Sequence, residues 1–171
     1  MGLNDHIDAI ESAVADPRQG LPDEVFGLVT RLTPMANVDL LIRNDRRETL
    51  LTWRDDGVYR GWHIPGGIIR YKERMAARVA EVARLELGAE VTIKGAPIAV
   101  NEVIHLERVV RGHFIAFLFE CELAGSPSES LRYDGGEPAH GQWAWHGACP
   151  PDIIASHEMY RRFFDHKASG T

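Results

Sequence analysis

Only two cysteines, Cys121 and Cys149, occur in 171 residues. They are too few for a disulfide framework and too far apart for a C-x-x-C metal pair, so a reducing, cytoplasmic setting is the expectation. Long apolar runs are missing too. The longest, Phe114 to Phe119, is far short of the roughly 20 residues that a membrane helix needs. The opening MGLNDHID has neither the basic segment nor the apolar run of a signal peptide, and His6 stands where a myristoylation signal needs Ser or Thr. No membrane partner is therefore expected. Basic charge is also short: 19 Lys+Arg face 25 Asp+Glu, a formal net charge of -6. That argues against a dedicated nucleic-acid binder and leaves a small phosphorylated ligand open, because local sites can oppose the global sign. Neither H-x-H nor H-E-x-x-H occurs, so no zinc site is expected.

What is present is globular composition, 44% apolar and 26% charged, enough for one domain with its own core. Residues 4–15 have helical spacing at Ile7, Ile10 and Val14, with Asn4 or Asp5 as candidate cap. Residues 22–32 restart a helix behind Pro22. Period-2 alternation follows, with Ala36, Val38, Leu40 and Ile42 on one face and Asn37, Asp39, Leu41 and Arg43 on the other. NDRRE (44–48) reads as a hairpin turn, and 49–54 as the returning strand. A helix is expected over 73–87, closed by Gly88. Long strands are expected over 91–106 and 113–123, a Gly/Ser/Pro-rich loop over 124–141, a short strand over 142–146 and a last helix over 152–166. Strands of mixed direction with helices between and after them indicate an α+β or layered α/β/α domain.

The segment with most chemistry is 66–89. On a helical wheel Met75, Val79 and Val82 share one face, and Glu86 continues that row. Either the last turn frays and Glu86 reaches solvent, or the carboxylate meets a cation or donors, since burying it alone is costly. Pro65-Gly66-Gly67 precedes the helix, where a sharp bend can expose carbonyls. Carbonyl and carboxylate oxygens suit Mg²⁺ or Mn²⁺, and a divalent ion beside a cleft suggests diphosphate chemistry.

Gly67, five residues, Glu73, and then Glu86-Leu87-Gly88 match the frame of the Nudix box, G-x5-E-x7-R-E-U-x-E-E-x-G-U. Outside the box, LPDEVFGLVTRLTPMANVDLLI (21–42), LLTWR (50–54) and GWHIPGG (61–67) resemble the GDP-mannose mannosyl hydrolase branch of the Nudix hydrolases. The resemblance covers residues 21–165, and Val82 and Leu85 replace the middle glutamates of the box, as in that branch. It implies an N-terminal helical extension (1–20) before a Nudix hydrolase domain (21–171), an α/β/α sandwich with a mixed sheet between helices. It implies Mg²⁺-dependent hydrolysis of a nucleoside diphosphate sugar such as GDP-mannose, with water attacking the sugar carbon and the diphosphate leaving, in a homodimer. By the same resemblance Gly66 and Glu86 hold the metal and His140 is the general base. Arg54 steadies the leaving diphosphate, and Asp39 and His105 face substrate. A histidine base and an arginine beside a departing diphosphate suit that chemistry.

Four positions depart from the pattern. Glu81 replaces the box arginine, which pairs with the glutamate matching Glu73; Arg78 and Arg84, each three residues from Glu81, can neutralise it. Ala139 stands where a ligand is expected before the base, with Glu137 nearby. Ile68 replaces an arginine. The turn RVVRG (108–112) is short. These departures keep two alternatives open: a pyrophosphohydrolase cutting P–O in another nucleoside diphosphate derivative, and a catalytically inactive nucleotide-binding domain. Elsewhere, His63, His113 and His146 read as packing or surface residues, and Tyr59 and Arg60 either as rim residues of a site or, the plainer reading, as a solvated loop. One of Trp143 and Trp145 should face the core.

Overall fold

The structure, a computed structural model, describes residues 2–164. Helices α1 (Leu3–Ser12) and α2 (Asp23–Leu32) come first. The cap of α1 is Gly2, whose N–H donates to Asp5 Oδ2 at 2.6 Å; Asp5 thus serves the cap from inside the helix. Helix α1 buries no residue and α2 only Thr30.

Strand β1 (Met35–Ile42) runs parallel to β7 (His113–Leu123), from Met35 opposite Phe114 to Ile42 opposite Cys121. This pair is the spine of a five-stranded sheet. The short β4 (Gly66–Ile68) lies antiparallel to β1, while β5 (Val91–Ile93) and β6 (Ala99–Ile104) both lie antiparallel to β7. Strand β2 (Thr49–Asp55) is the centre of a second sheet, between β3 (Arg60–His63) and β8 (Trp143–His146). The NDRRE turn forms as expected, with Arg47 at φ 64°, but beyond the Arg43–Thr49 bridge the two strands diverge into different sheets.

The alternation in β1 predicts one wet face, yet both faces are buried from Val38 to Ile42. A central parallel strand is covered on both sides, which explains the change. On one side Val38, Leu40, Ile42 and Leu50 pack against Val79, Val82, Ala83 and Leu87 of the helix after the Pro-Gly-Gly segment. On the other, Leu41, Leu51, Trp53, Trp62 and Leu118 pack against Ile153, Tyr160 and Phe164. Fully burying such a side chain stabilises by about 1.5–3 kcal/mol. The result is the expected α+β sandwich, with mixed sheets between helices. No helix among the described residues is long and apolar enough to cross a membrane.

Several boundaries differ from the sequence expectation. The 91–106 strand is broken, because Gly95 (φ 124°) and Pro97 interrupt it between β5 and β6. Residues 66–68 form a strand as well as a bend. Helix α3 spans Met75–Val82, so Glu73 precedes it, and its continuation Ala83–Leu87 is a π-helical turn. Gly88 closes it at φ 61°, as expected. The last helix is a 3-10 helix, Ala155–Phe163; positions 165 and 166 lie outside the described residues. Trp143 is the core-facing tryptophan, at 2% exposure.

Candidate active site

The site lies where β1, β2, β3 and β4 meet. Glycine is required at the junction. A Cβ on Gly66 would stand 2.2 Å from Asp39 Oδ1 and 3.0 Å from the Val38 carbonyl; one on Gly67 would stand 2.8 Å from Val82 Cγ2. The bare backbone lets β4 press onto β1 and lets α3 press onto β4.

Glu86 projects from the π-helical turn toward that junction. The widened turn buries Leu87 fully and leaves Leu85 at 55% exposure, so the phase of the apolar stripe shifts just where the carboxylate sits. Both of its oxygens are held. Oε1 accepts the Gly66 N–H at 3.2 Å, and Oε2 accepts the Thr52 hydroxyl at 2.8 Å with His63 Nε2 at 3.3 Å. The side chain is 23% exposed, so the last turn does not fray into solvent. Burial alone would raise its pKa, but the hydrogen bond and charge of His63, the Arg54 guanidinium and the Thr52 hydroxyl outweigh it and hold the carboxyl below its usual value. His63 is itself buried, with Nδ1 donating to the Thr52 carbonyl at 2.8 Å. Its expected packing role is therefore corrected: it braces the carboxylate.

Asp39, on β1, is 1% exposed. Oδ1 accepts from Asn37 Nδ2 at 2.6 Å and Oδ2 from the Tyr160 hydroxyl. Burial pushes its pKa up to about 7, with nearby Glu86 adding to the rise against the opposing Tyr160 hydrogen bond, Arg54 charge and Asn37. Tyr160 comes from the last 3-10 helix, as does His157, whose Nδ1 accepts the Ile64 N–H at 3.1 Å. Burial and the charges of His63 and Arg54 keep the His157 pKa well below the ordinary histidine value, so it is neutral with its proton on Nε2.

Asp39, Arg54, His63, Gly66, Gly67 and His157 line one cavity of about 180 Å³, with Tyr59, Arg111 and Ser156 on its wall. Tyr59 is 8% exposed, so it is part of this wall and not of a solvated loop. Glu86 stands beside the cavity through Gly66 and His63. The sequence thus named Asp39, Arg54, Gly66 and Glu86, which the fold brings together. It missed Asn37, Thr52, His63, Tyr59, His157 and Tyr160. The GWHIPGG match already contained His63; Tyr160 and His157 left no signal beyond amphipathic spacing.

The other named residues lie elsewhere. His140 is in the loop before β8, where its Nδ1 accepts the Asp55 N–H at 3.0 Å, one residue beyond Arg54 on β2; it does not line the cavity. Neighbouring Glu137 pairs with Arg60 at 2.6 Å. His105 follows β6, with Nδ1 3.6 Å from Glu107 and Nε2 buried without a partner, also away from the cavity lining. Glu73 is structural. It accepts from the Arg70 N–H at 2.9 Å and from buried Arg78 Nε at 2.8 Å. Arg78 thus pairs with Glu73 and not with Glu81, which instead takes both guanidinium contacts of Arg84 at 2.8 Å.

A family model described as the NUDIX domain matches residues 33–162. The chain belongs to the Nudix family. It is 31% identical over 111 residues to the Low-salt glycan biosynthesis protein Agl8 of Haloferax volcanii, covering 63% of this chain and 70% of that one. Among solved structures, this Nudix chain is similar to a possible asymmetric diadenosine tetraphosphate hydrolase from Jonesia denitrificans (TM-score 0.59, 19% identity, 77% of this chain and 92% of that one). It is similar also to the MutT protein from Methanosarcina mazei (0.56, 23%, 77% and 91%) and to a MutT Nudix hydrolase from Burkholderia pseudomallei (0.57, 19%, 76% and 97%). These likenesses agree on the fold.

Nudix hydrolases act on small-molecule nucleotides and generally use divalent metals such as Mg²⁺. The residues of this Nudix chain fit such an ion. Among the described residues no three His, Cys, Asp or Glu side chains cluster to cage a metal. Mg²⁺ does not need a cage; it is usually bound through one or two carboxylates plus water and substrate phosphate. Glu86 and Asp39 supply two mutually repelling carboxylates, and the Gly66 backbone beside them has no side chain in the way.

Proposed function

We propose that this chain is a Mg²⁺- or Mn²⁺-dependent hydrolase of a nucleoside diphosphate sugar of the GDP-mannose kind. The reading is carried by one observation: the doubly held Glu86 carboxylate is bonded to Gly66, which lines a cavity together with Arg54 and Asp39. A divalent ion held by Glu86, the Gly66 backbone and Asp39 would neutralise charge on the diphosphate. Arg54 pairs with the same diphosphate as it departs. Water attacks the anomeric carbon, the C–O bond to the diphosphate breaks with its electron pair leaving on the phosphate oxygen, and the water proton passes to His140. To take that proton His140 exchanges the Asp55 N–H for the water. Gly135, Gly136 and Gly141, all at positive φ, flank His140 in its loop. The cavity is below the roughly 300–1,000 Å³ of a usual small-ligand pocket, so it takes the reacting diphosphate and leaves the rest of the substrate outside it. The glycan-biosynthesis name of the Haloferax volcanii relative is in keeping with a sugar nucleotide.

A second reading, P–O cleavage, is favoured by the position of His140 outside the cavity lining. There Asp39, which lines the cavity, would take the water proton, and the ion would be left to Glu86 and the Gly66 backbone.

Incubation of pure protein with a panel of nucleoside diphosphate sugars and Mg²⁺ separates the two. Free hexose with a nucleoside diphosphate marks C–O cleavage; a nucleoside monophosphate with sugar phosphate marks P–O cleavage. No turnover of the panel by folded protein contradicts both and leaves a nucleotide-binding domain. A homodimer belongs to the same proposal, supported by exposed Val100, Ile104 and Leu106 on and beyond β6. Light scattering measures it.

A further inference from the structure

Three guanidinium groups surround one tyrosine ring at the mouth of the cavity. Arg108 lies 4.4 Å from the Tyr59 ring centroid, Arg54 5.8 Å and Arg111 5.9 Å. The acidic groups at this cluster are Asp56, 3.7 Å from Arg54 Nε, and Glu107, 71% exposed and 3.9 Å from Arg108 Nε. Asp56 is committed to the loop, accepting the Val58 and Tyr59 N–H groups, and the charges of Arg54 and Arg111 help hold its carboxyl low against the burial that would raise it. Positive charge is left over, and so are donors: Arg111 Nε and Arg108 Nη1 are buried and make no hydrogen bond. Unpaired guanidinium nitrogens out of water are a standing cost that a bound oxyanion would remove.

The turn that carries Arg108 and Arg111 is built, not frayed. Arg108 N–H donates to the His105 carbonyl at 3.0 Å, and His105 N–H to the Gly112 carbonyl at 2.7 Å. Arg111 N–H donates to Thr30 Oγ1 of α2 at 3.3 Å. Arg111 also sits at φ 57°, a left-handed conformation that strains any residue with this side chain.

We propose that Arg108 and Arg111 form a second oxyanion subsite, beyond the diphosphate subsite at Arg54, for a substrate carrying a further anionic group. Arg111 lines the cavity directly; Arg108 backs it across Tyr59. The inference rests on the proposed function only in placing the diphosphate at Arg54. It extends the substrate class beyond neutral-sugar nucleotides to derivatives with a further compact oxyanion, either a phosphoryl group or a sugar carboxylate.

Calorimetric binding of inorganic pyrophosphate and inorganic tripolyphosphate, without divalent metal, tests it independently of catalysis. Wild type should bind tripolyphosphate about tenfold more tightly than pyrophosphate, one charge-assisted pair being worth that much. Arg108→Gln with Arg111→Asn, asparagine being at ease in the left-handed conformation, should abolish the preference. Arg54→Gln should weaken both probes. Equal binding of the two probes by wild type, or a preference kept by the double variant with its melting point unchanged, overturns the proposal. Turnover distinguishes the source of the oxyanion. In Arg111→Asn, a fall in kcat/KM for a nucleoside triphosphate relative to a nucleoside diphosphate hexose points to a phosphoryl group; a fall for a nucleoside diphosphate hexuronate points to a carboxylate. No fall in either ratio contradicts the subsite. Absence of all turnover contradicts the proposed function alone, because the metal-free binding preference still decides the subsite.

Discussion

Gly66 and Glu86, 20 residues apart, meet through a single hydrogen bond, the Gly66 N–H to Oε1 at 3.2 Å. The bond ties the strand after the Pro-Gly bend to the end of the helix after it. Together with Thr52 and His63 it turns a carboxylate in an apolar stripe into a fixed, charged group beside a cavity. Fixing charge before substrate arrives is how a site acts without reorganising during reaction.

Gly66→Ala tests the close approach. The added methyl would sit 2.2 Å from Asp39 Oδ1, itself buried and hydrogen-bonded, so neither partner yields easily. Overpacking of this kind costs about 1–3 kcal/mol, and a chain of this size loses about 2–4 °C of Tm per kcal/mol. Differential scanning calorimetry should show the drop, with activity lost beyond what the remaining folded fraction explains.

The Glu73–Arg78 pair should matter far more than Glu81–Arg84. Arg78 is 6% exposed and bonded at 2.8 Å, so Arg78→Ala leaves the half-buried Glu73 without its cation, a loss toward the low end of the roughly 3–5 kcal/mol of a broken buried pair. Arg84 is 64% exposed, and Arg84→Ala should leave the urea midpoint unchanged within error. Urea unfolding of the two variants in parallel reads the contrast directly.

Asp39 predicts a pH slope. Its folded pKa of about 7 lies above the roughly 3.9 of an unfolded aspartate, so the fold retains a proton that the unfolded chain has lost. The stability it contributes is complete below about pH 4 and is lost as pH rises through 7. Metal-free wild type should lose on the order of a few kcal/mol across that window through this group. Asp39→Asn, which keeps a partner for the Tyr160 hydroxyl, should flatten the profile and be the more stable protein at pH 8. A wild-type profile matching that of Asp39→Asn contradicts the buried proton.

Much of the fold is written locally. Alternation marks β1 and the NDRRE turn, and Gly88 marks the end of the helix that bears Glu86, because these signals depend on neighbours in the chain. Glu86 itself was legible as a carboxylate out of place in an apolar row. His63, Tyr59 and Tyr160 were not. A buried histidine in a strand looks the same whether it meets a carboxylate or a leucine, and the Tyr160–Asp39 bond joins residues 121 positions apart. The π-helical turn was hidden as well, since its wheel differs from an α-helix by one residue. The pairing of Arg78 with Glu73 and not Glu81 depends on burial, which spacing does not report.

In the proposed function Glu86 is the charged group on which hydrolysis turns. Steady-state kinetics of wild type and Glu86→Gln, on a nucleoside diphosphate sugar that wild type cleaves, across a Mg²⁺ titration, tests it. The glutamine oxygen can still accept the Gly66 N–H while its amide NH2 donates to the Thr52 hydroxyl oxygen, so the fold should survive with an unchanged circular dichroism spectrum. The expected result is a loss in kcat of about 10²–10³-fold, as for removal of one preorganised electrostatic group, and a higher Mg²⁺ requirement. Turnover by Glu86→Gln at the wild-type rate and the wild-type Mg²⁺ dependence would contradict it.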